Sequence, residues 1–159
     1  MTNSITVLLV EDDPNDALFF RLAINKVYPQ ATVLTVMSVQ EAIHCLEKTG
    51  PFAKRSPYAV PSMVFVDLQL PVKPGKALVK WIREQPQFKK LLVVVLSGLL
   101  EMRCLADVYR LGIDSFILKT VDPTDLSKTL LELNGHWVER GLIADFTAKA
   151  PSLQPLSSP

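Results

Sequence analysis

The sequence has little of several features that would assign a protein to a specialised class. It contains only two cysteines among 159 residues, Cys45 and Cys104, with no Cys-x-x-Cys or mixed Cys/His spacing. This scarcity argues against a disulfide scaffold and a thiolate metal site, and it is typical of a reducing compartment. The net charge of +1 gives no bulk attraction to nucleic acid or to an anionic membrane.

Targeting signals are also missing from the N-terminus. Residues 1–4 carry no basic side chain, and the apolar run that follows, Ile5–Val10, is far shorter than a membrane span. We therefore expect a cytoplasmic protein without a signal peptide or a membrane anchor at this end. The chain does have 48% hydrophobic residues over a length typical of one domain, which is enough to build a hydrophobic core.

Five short apolar runs rich in β-branched residues alternate with segments of helical periodicity, and we interpret the runs as strands. The runs are Ile5–Val10, Thr32–Val36, Met63–Val66, Leu91–Leu96 and Ser115–Leu118. Strands that alternate with helices favour an α/β fold, in which a parallel sheet is covered on both faces. The simplest topology is a flavodoxin-like (βα)5 doubly wound parallel sheet with strand order 2-1-3-4-5.

We expect one domain over residues 5–138, preceded by an N-terminal extension over residues 1–4. The segment 139–159 ends in residues rich in proline and serine and is predicted to be a partly disordered tail. No DNA-binding or enzymatic output domain is expected after residue 138, because the remaining residues are few and lack apolar periodicity.

Polar side chains stand at the ends of four of the apolar runs. They are Glu11, Asp12 and Asp13 after the first run, Asp67 after the third, Ser97 after the fourth and Lys119 after the fifth. Parallel strands end at one edge of their sheet, so the pattern predicts an acidic cluster with a hydroxyl and an ammonium. Neighbouring carboxylates repel by roughly 4 kcal/mol per pair at about 4 Å in a surface-like dielectric. Either some of them are protonated or a cation lies among them. Oxygen ligands without imidazole or thiolate favour Mg²⁺ over zinc or copper.

The same residues predict phosphoryl chemistry. A carboxylate bound to Mg²⁺ can attack a phosphoryl group and become an aspartyl phosphate. Asp67 is the best candidate nucleophile, because it stands alone at the tip of the central strand. The Ser97 hydroxyl and the Lys119 ammonium are suitable partners for the phosphoryl oxygens. For Asp12 or Asp13 taken singly, a helix cap is an equally good interpretation.

The motifs resemble those of response-regulator receiver domains of two-component signalling, the CheY-like superfamily. The matching segments are Val7–Pro14, Val66–Pro71 together with Gly75, Val94–Gly98 and Phe116–Lys119, in family order. The resemblance covers about residues 5–138. It implies a phosphoacceptor in a phosphorelay, with no enzymatic activity beyond its own phosphorylation and dephosphorylation.

The resemblance also implies roles for the acidic residues. Asp67 would accept phosphate from a histidine kinase. Asp12, Asp67 and the main-chain carbonyl of Gln69 would hold Mg²⁺, with Glu11 acting through water. Asp13 falls one place beyond the acidic pair and is either an N-cap or an additional acidic group.

Three further positions match the family's phosphate-binding and switch residues. Ser97 and Lys119 would bind the phosphoryl oxygens. Phe116 fits the aromatic that turns inward when the hydroxyl residue engages phosphate, or it is a core phenylalanine. Thr120 is a departure, because the family usually has a cis-proline there. A cis bond to a non-proline residue costs about 2.5–4 kcal/mol, so the Lys119–Thr120 geometry is left open.

A narrower resemblance is to stand-alone regulators that serve phytochrome-type histidine kinases. It rests on Asp12–Ala17, on the loop Gly50–Ala53 and on His136–Val138. Because no output domain is expected after residue 138, we expect output to pass through a phosphorylation-dependent surface to a downstream protein or a phosphotransfer partner. Homodimers formed through the fourth and fifth helices occur in that group, and the sequence leaves this state open.

Three alternative functions fit parts of the pattern. A degenerate receiver would be a protein-binding module only, and Thr120 leaves room for it. A haloacid dehalogenase-type phosphatase also uses aspartate, a hydroxyl, lysine and Mg²⁺, but its nucleophile normally lies on the first motif strand. A flavodoxin-type FMN carrier has the same fold, yet a Ser/Thr-rich phosphate loop is missing after the first strand.

Overall fold

The computed structural model describes residues 4–54, 60–98, 105–119 and 122–147. Cys104 and Thr120 lie outside these ranges, and so does the geometry of the Lys119–Thr120 bond. The predicted domain boundaries, which separate an extension over residues 1–4 and a tail over residues 139–159 from the domain over residues 5–138, stay a prediction.

Strands and helices alternate through the described residues. The strands are β1 Thr6–Val10, β2 Thr32–Val36, β3 Met63–Asp67, β4 Leu92–Ser97 and β5 Ser115–Leu118. The helices are α1 Pro14–Val27, α2 Val39–Glu47, α3 Gly75–Glu84, α4 Leu105–Leu111 and α5 Pro123–Glu139, with single 3₁₀ turns at Gly50–Phe52 and Pro86–Phe88. The strands form one parallel sheet in the order β2-β1-β3-β4-β5, which confirms the predicted fold.

The sheet separates two hydrophobic cores, because successive side chains of a strand point to opposite faces. In β1, Leu8 and Val10 pack with α2, α3 and α4, whereas Val7 and Leu9 pack with α1 and α5. The strands β1, β3 and β4 are buried along their whole length. This explains why their sequences are apolar without alternation. None of the described helices has the length and apolar character that crossing a membrane requires.

Buried polar contacts fix α5 against the sheet and against α1. The indole N–H of Trp137, which is fully buried, donates to the hydroxyl of Ser115 at 2.8 Å. The hydroxyl of Tyr28, after α1, donates to the amide oxygen of Asn134 at 2.6 Å. Buried polar groups require such partners, so these two bonds add directional contacts to the apolar packing of α5 through Leu126, Leu130 and Trp137.

The chain continues in an ordered form for several residues after α5. Leu142, Ile143 and Phe146 pack against the core between the sheet, α1 and α5. Residues 139–147 belong to the segment that was predicted as a tail. The same three apolar side chains are partly buried against the core. Residues 148–159 lie outside the described part of the chain.

Gly75 allows the connection between β3 and α3 to close tightly beside the end of β3. Its N–H donates to the carbonyl of Leu68 at 2.9 Å. A Cβ atom added at Gly75 would lie 2.0 Å from the main-chain oxygen of Asp67. No side chain other than hydrogen fits this close approach, so Gly75 sets the path of the chain around Asp67.

We predict that Gly75→Ala destabilises the protein by about 1–3 kcal/mol, because the added methyl group must displace the backbone at Asp67. Gly135→Ala is the matched control. It lies exposed within α5, and an added Cβ meets nothing within 4 Å. The control should raise stability by up to about 1 kcal/mol, since alanine favours helix. Urea unfolding monitored by circular dichroism measures both changes, and equal effects of the two substitutions would contradict this account of Gly75.

Candidate functional site

The predicted polar residues meet at the carboxyl edge of the sheet. Glu11 directly follows β1, Asp67 ends β3, Ser97 ends β4 and Lys119 directly follows β5. The register explains their proximity, because Val10 pairs with Val66, Asp67 with Leu96 and Ser97 with Leu118. Glu11 is therefore in register with Asp67. Ser97 lies one residue further along its strand than Asp67, and Lys119 lies one residue further than Ser97.

Lys119 lies at the centre of this group and contacts three carboxylates. Its Nζ atom is 2.6 Å from Asp67 Oδ2, 2.7 Å from Glu11 Oε2 and 3.1 Å from Asp16 Oδ2. The side chain of Lys119 is 20% exposed, whereas those of Glu11 and Asp67 are almost fully buried. An ammonium group has three N–H donors. The number of donors on Lys119 therefore equals the number of carboxylates that it contacts in the described part of the chain.

The electrostatics show an excess of negative charge. Burial alone would lower the pKa of Lys119, but its contacts with Asp67, Glu11 and Asp16 hold that pKa above its usual value. Burial raises the pKa of Glu11 to about 7, and repulsion from Asp67 adds to the effect. The contact with Lys119 and the N–H of Asp13 only partly offset it. A single ammonium therefore stabilises these carboxylates incompletely.

The remaining negative charge fits a divalent cation. Glu11, Asp12 and Asp67 each offer a carboxylate oxygen, and these oxygens lie within 4.8 Å of one another. Glu11 Oε1 accepts the N–H of Asp13 at 3.1 Å. Within the described residues, Glu11 Oε2 is buried without an aligned hydrogen bond, although the charge of Lys119 is close. The donor set consists of oxygens only, and Glu11 Oε2 still lacks an aligned hydrogen-bond donor. Such a set matches the preference of hard cations such as Mg²⁺ or Mn²⁺.

Asp67 has its two carboxylate oxygens in different surroundings. Oδ1 accepts the main-chain N–H of Gln69 at 2.9 Å, and Oδ2 accepts a hydrogen bond from Lys119. Gln69 is exposed at the start of the loop towards α3. The loop thus fixes the orientation of the Asp67 carboxylate while the lysine neutralises one of its oxygens.

Ser97 and Lys119 are linked through the backbone. The N–H of Lys119 donates to the carbonyl of Ser97 at 2.8 Å, and the Ser97 hydroxyl donates to the carbonyl of Gly98 at 3.1 Å. Phe116 lies half-buried on β5, and its ring packs edge-on against Tyr109 of α4 with centroids 6.1 Å apart. Phe116 therefore contacts a residue that is itself exposed, and the switch role of Phe116 stays a prediction.

The two aspartates at the start of α1 differ in what they contact. Asp13 is the N-cap of the helix, where its Oδ1 accepts the N–H groups of Asn15 at 2.8 Å and Asp16 at 3.1 Å. It lies outside the carboxylate group that surrounds the cation position. Asp16 was not among the predicted site residues, yet it contacts Lys119. Its place in the first turn, four residues after Asp12, is the signal that could have indicated it.

Comparison with known proteins gives one family. A sequence model of the response regulator receiver domain matches residues 7–131. The chain is 25% identical to response regulator Rcp1 of Synechocystis sp. over 133 residues, which covers 84% of this chain and 88% of Rcp1.

Two solved structures show the same fold. The phosphorylated cyanobacterial phytochrome response regulator RcpA superposes with a TM-score of 0.73 at 26% identity, over 86% of this chain and 96% of its own. The Mn²⁺-bound form of response regulator Rcp1 gives a TM-score of 0.71 at 24% identity, over 85% of this chain and 95% of its own.

The raised pKa of Glu11 predicts how stability depends on pH without metal. Between about pH 4.5 and about pH 7, the folded chain keeps a proton on Glu11 that the unfolded chain has lost. The contribution of Glu11 to stability is therefore fully present below pH 4.5 and is lost as the pH rises through 7. Glu11→Gln, which cannot ionise, should lack this loss.

The measurement is denaturant unfolding of both proteins across this range in a chelating buffer. We expect the stability of the wild type to fall relative to that of Glu11→Gln as the pH rises. Parallel stability curves for the two proteins would show that Glu11 titrates normally and would contradict the prediction.

Proposed function

The chain belongs to the response regulator receiver family, and on that premise we propose that it is a single-domain phosphoacceptor. In this proposal Asp67 takes a phosphoryl group from a histidine kinase in a Mg²⁺-dependent reaction. The observation that carries the proposal is the contact of 2.6 Å between Asp67 Oδ2 and Lys119 Nζ, in which Asp67 is also one of three carboxylates that can hold a cation. Nucleophile, cation position and ammonium are thus in one place.

The chemistry follows from the residues present. A carboxylate oxygen of Asp67 attacks the phosphorus of a phosphohistidine, and the P–N bond breaks. The electron pair stays on the imidazole nitrogen, which then takes up a proton. Lys119 neutralises charge on the transferred group, and the Ser97 hydroxyl can donate to one of its oxygens. Mg²⁺, held by Glu11, Asp12 and Asp67, would supply further neutralisation of the phosphoryl oxygens.

Two features support the remaining assignments at the cation position. The main-chain carbonyl of Gln69 belongs to the loop whose N–H already orients Asp67, so it is a suitable additional ligand. The raised pKa of Glu11 is consistent with a role through water, because its carboxylate is costly to ionise in this buried position. Similarity to Rcp1, which is known in a Mn²⁺-bound form, supports divalent cation binding.

The output of the proposed switch would run along β5. Phe116 lies three residues before Lys119 and contacts Tyr109, which is 47% exposed on α4. A movement of Phe116 towards Ser97 would change the surroundings of Tyr109. The partner that senses this change would be a downstream protein or a phosphotransfer protein, and a homodimer through α4 and α5 is a further arrangement to test.

Similarity to regulators of phytochrome systems supports the choice of kinase. RcpA is described as a phytochrome response regulator, and it covers most of this chain. We propose a phytochrome-type histidine kinase as the phosphodonor and the cytoplasm as the place of reaction. Phosphotransfer from a panel of the host's histidine kinases, compared by initial rate, tests this choice.

The central prediction is that acetyl phosphate with Mg²⁺ adds the mass of one phosphoryl group to the protein. Asp67→Asn should abolish the adduct, since the amide cannot act as the nucleophile. Asp13→Asn is the matched control, because asparagine also caps helices and Asp13 lies outside the carboxylate group. Intact-protein mass spectrometry measures the adduct.

Three results would contradict the assignment. Asp67→Asn carrying the same label would move the phosphoryl group to another residue. An unmodified wild type that binds Mg²⁺ normally would favour a binding module. Sustained turnover of a small phosphomonoester would instead support the phosphatase alternative.

A further inference from the structure

The structure points to a role for Asp16 that the proposed function does not include. We propose that Asp16 is a positioning residue for Lys119, which keeps the lysine ammonium in the site when a divalent cation draws Glu11 and Asp67 to itself. The inference rests on the proposed function for its consequence in phosphoryl transfer. Its physical basis, the competition between cation and lysine, can be measured independently.

The first step concerns which carboxylates are shared. Of the three carboxylates that contact Lys119, those of Glu11 and Asp67 also belong to the group whose oxygens lie within 4.8 Å of one another. A cation at that position and the ammonium would compete for the same oxygens. Among the described residues, Asp16 is the remaining carboxylate partner of Lys119, and it lies outside the cation group.

The second step concerns what happens to Lys119 during that competition. Its side chain is 20% exposed, so without an anionic partner it would either stay partly buried at a cost or turn towards solvent. Asp16 Oδ2, 3.1 Å away, gives the ammonium a partner that the cation does not remove. The lysine therefore stays beside Asp67, where the oxygens of an incoming phosphoryl group need it.

The third step concerns how Asp16 is held. It lies in the first turn of α1, and its N–H donates to the capping carboxylate of Asp13 at 3.1 Å. An acidic residue in a first helical turn is favoured by the helix dipole, which would be a sufficient explanation for an isolated Asp16. The contact with a lysine 103 residues away in the sequence is an additional observation. It joins α1 to the end of β5.

Asp16→Asn tests the proposal because it keeps the shape of the side chain and removes the charge. We expect the dissociation constant for Mg²⁺, measured by calorimetry, to rise about two- to fivefold. The cause is that Lys119, without Asp16, competes more strongly for Glu11 and Asp67. Asp13→Asn removes one charge from the same helical turn without touching Lys119, so it measures the general effect of lost charge and should change the constant less. Asp16→Glu, which retains a carboxylate, should restore part of the affinity.

The same substitutions in the Lys119→Met variant separate an effect of Asp16 through Lys119 from the general effect of a lost negative charge. In Lys119→Met there is no ammonium to retain, so adding Asp16→Asn should change Mg²⁺ affinity no more than adding Asp13→Asn. An effect of Asp16→Asn that persists in full without Lys119, or that equals the effect of Asp13→Asn in the wild type, would overturn the proposal.

The third measurement observes Lys119 directly. With Mg²⁺ at saturation, the ¹⁵N signal of the Lys119 ammonium should remain protected from solvent exchange in the wild type and lose that protection in Asp16→Asn. Phosphoryl uptake from acetyl phosphate should slow in the same variant even when Mg²⁺ is saturating. If the wild type takes up no phosphoryl group, the proposed function fails, while the calorimetric and NMR results still decide the role of Asp16. If the ammonium signal of Lys119 is equally protected in the wild type and in Asp16→Asn, the positioning role of Asp16 is contradicted.

Discussion

The structure depends most on one imbalance: within the described part of the chain, the half-buried ammonium of Lys119 faces three carboxylates at the end of the sheet. Lys119 donates hydrogen bonds to Asp16 and Asp67 and lies in ion-pair contact with Glu11, yet Glu11 remains costly to ionise and Asp12 offers a further carboxylate nearby. Charges in such surroundings are stable only when paired. The acidic group could hold a divalent cation, and under the proposal above Lys119 would compete with that cation for Glu11 and Asp67.

The sheet makes this imbalance possible by separating the site from the cores. The strands β1, β3 and β4 are buried throughout, and apart from Thr6 at the start of β1 their polar residues stand at or directly after the final position. Hydrophobic burial on both faces holds each strand in place. The register between neighbouring strands then sets how far apart the polar residues at their ends lie. The precision of the site thus comes from apolar residues that take no part in its chemistry.

The sequence was sufficient for the fold and for the grouping of Glu11, Asp67, Ser97 and Lys119 at one edge of the sheet, because both follow from periodic patterns. Buried parallel strands are recognisable as apolar runs, and residues at their ends must meet at one edge. Asp16 was not predictable in this way, since its contact depends on how α1 docks beside β5. The same holds for Leu142 and Phe146, whose packing against the core depends on the path of the chain after α5. Local signals do not encode such docking.

The strand-end placement of the site has a consequence for which changes of chain length the protein can accept. An insertion within β3 would turn alternate side chains to the opposite face and would move Asp67 past Lys119 at the same time. An insertion in a connection at the opposite edge of the sheet would leave every contact of Lys119 in place. Homologous chains should therefore differ in length mainly at the amino-terminal edge of the sheet, while the residue count of each central strand stays constant.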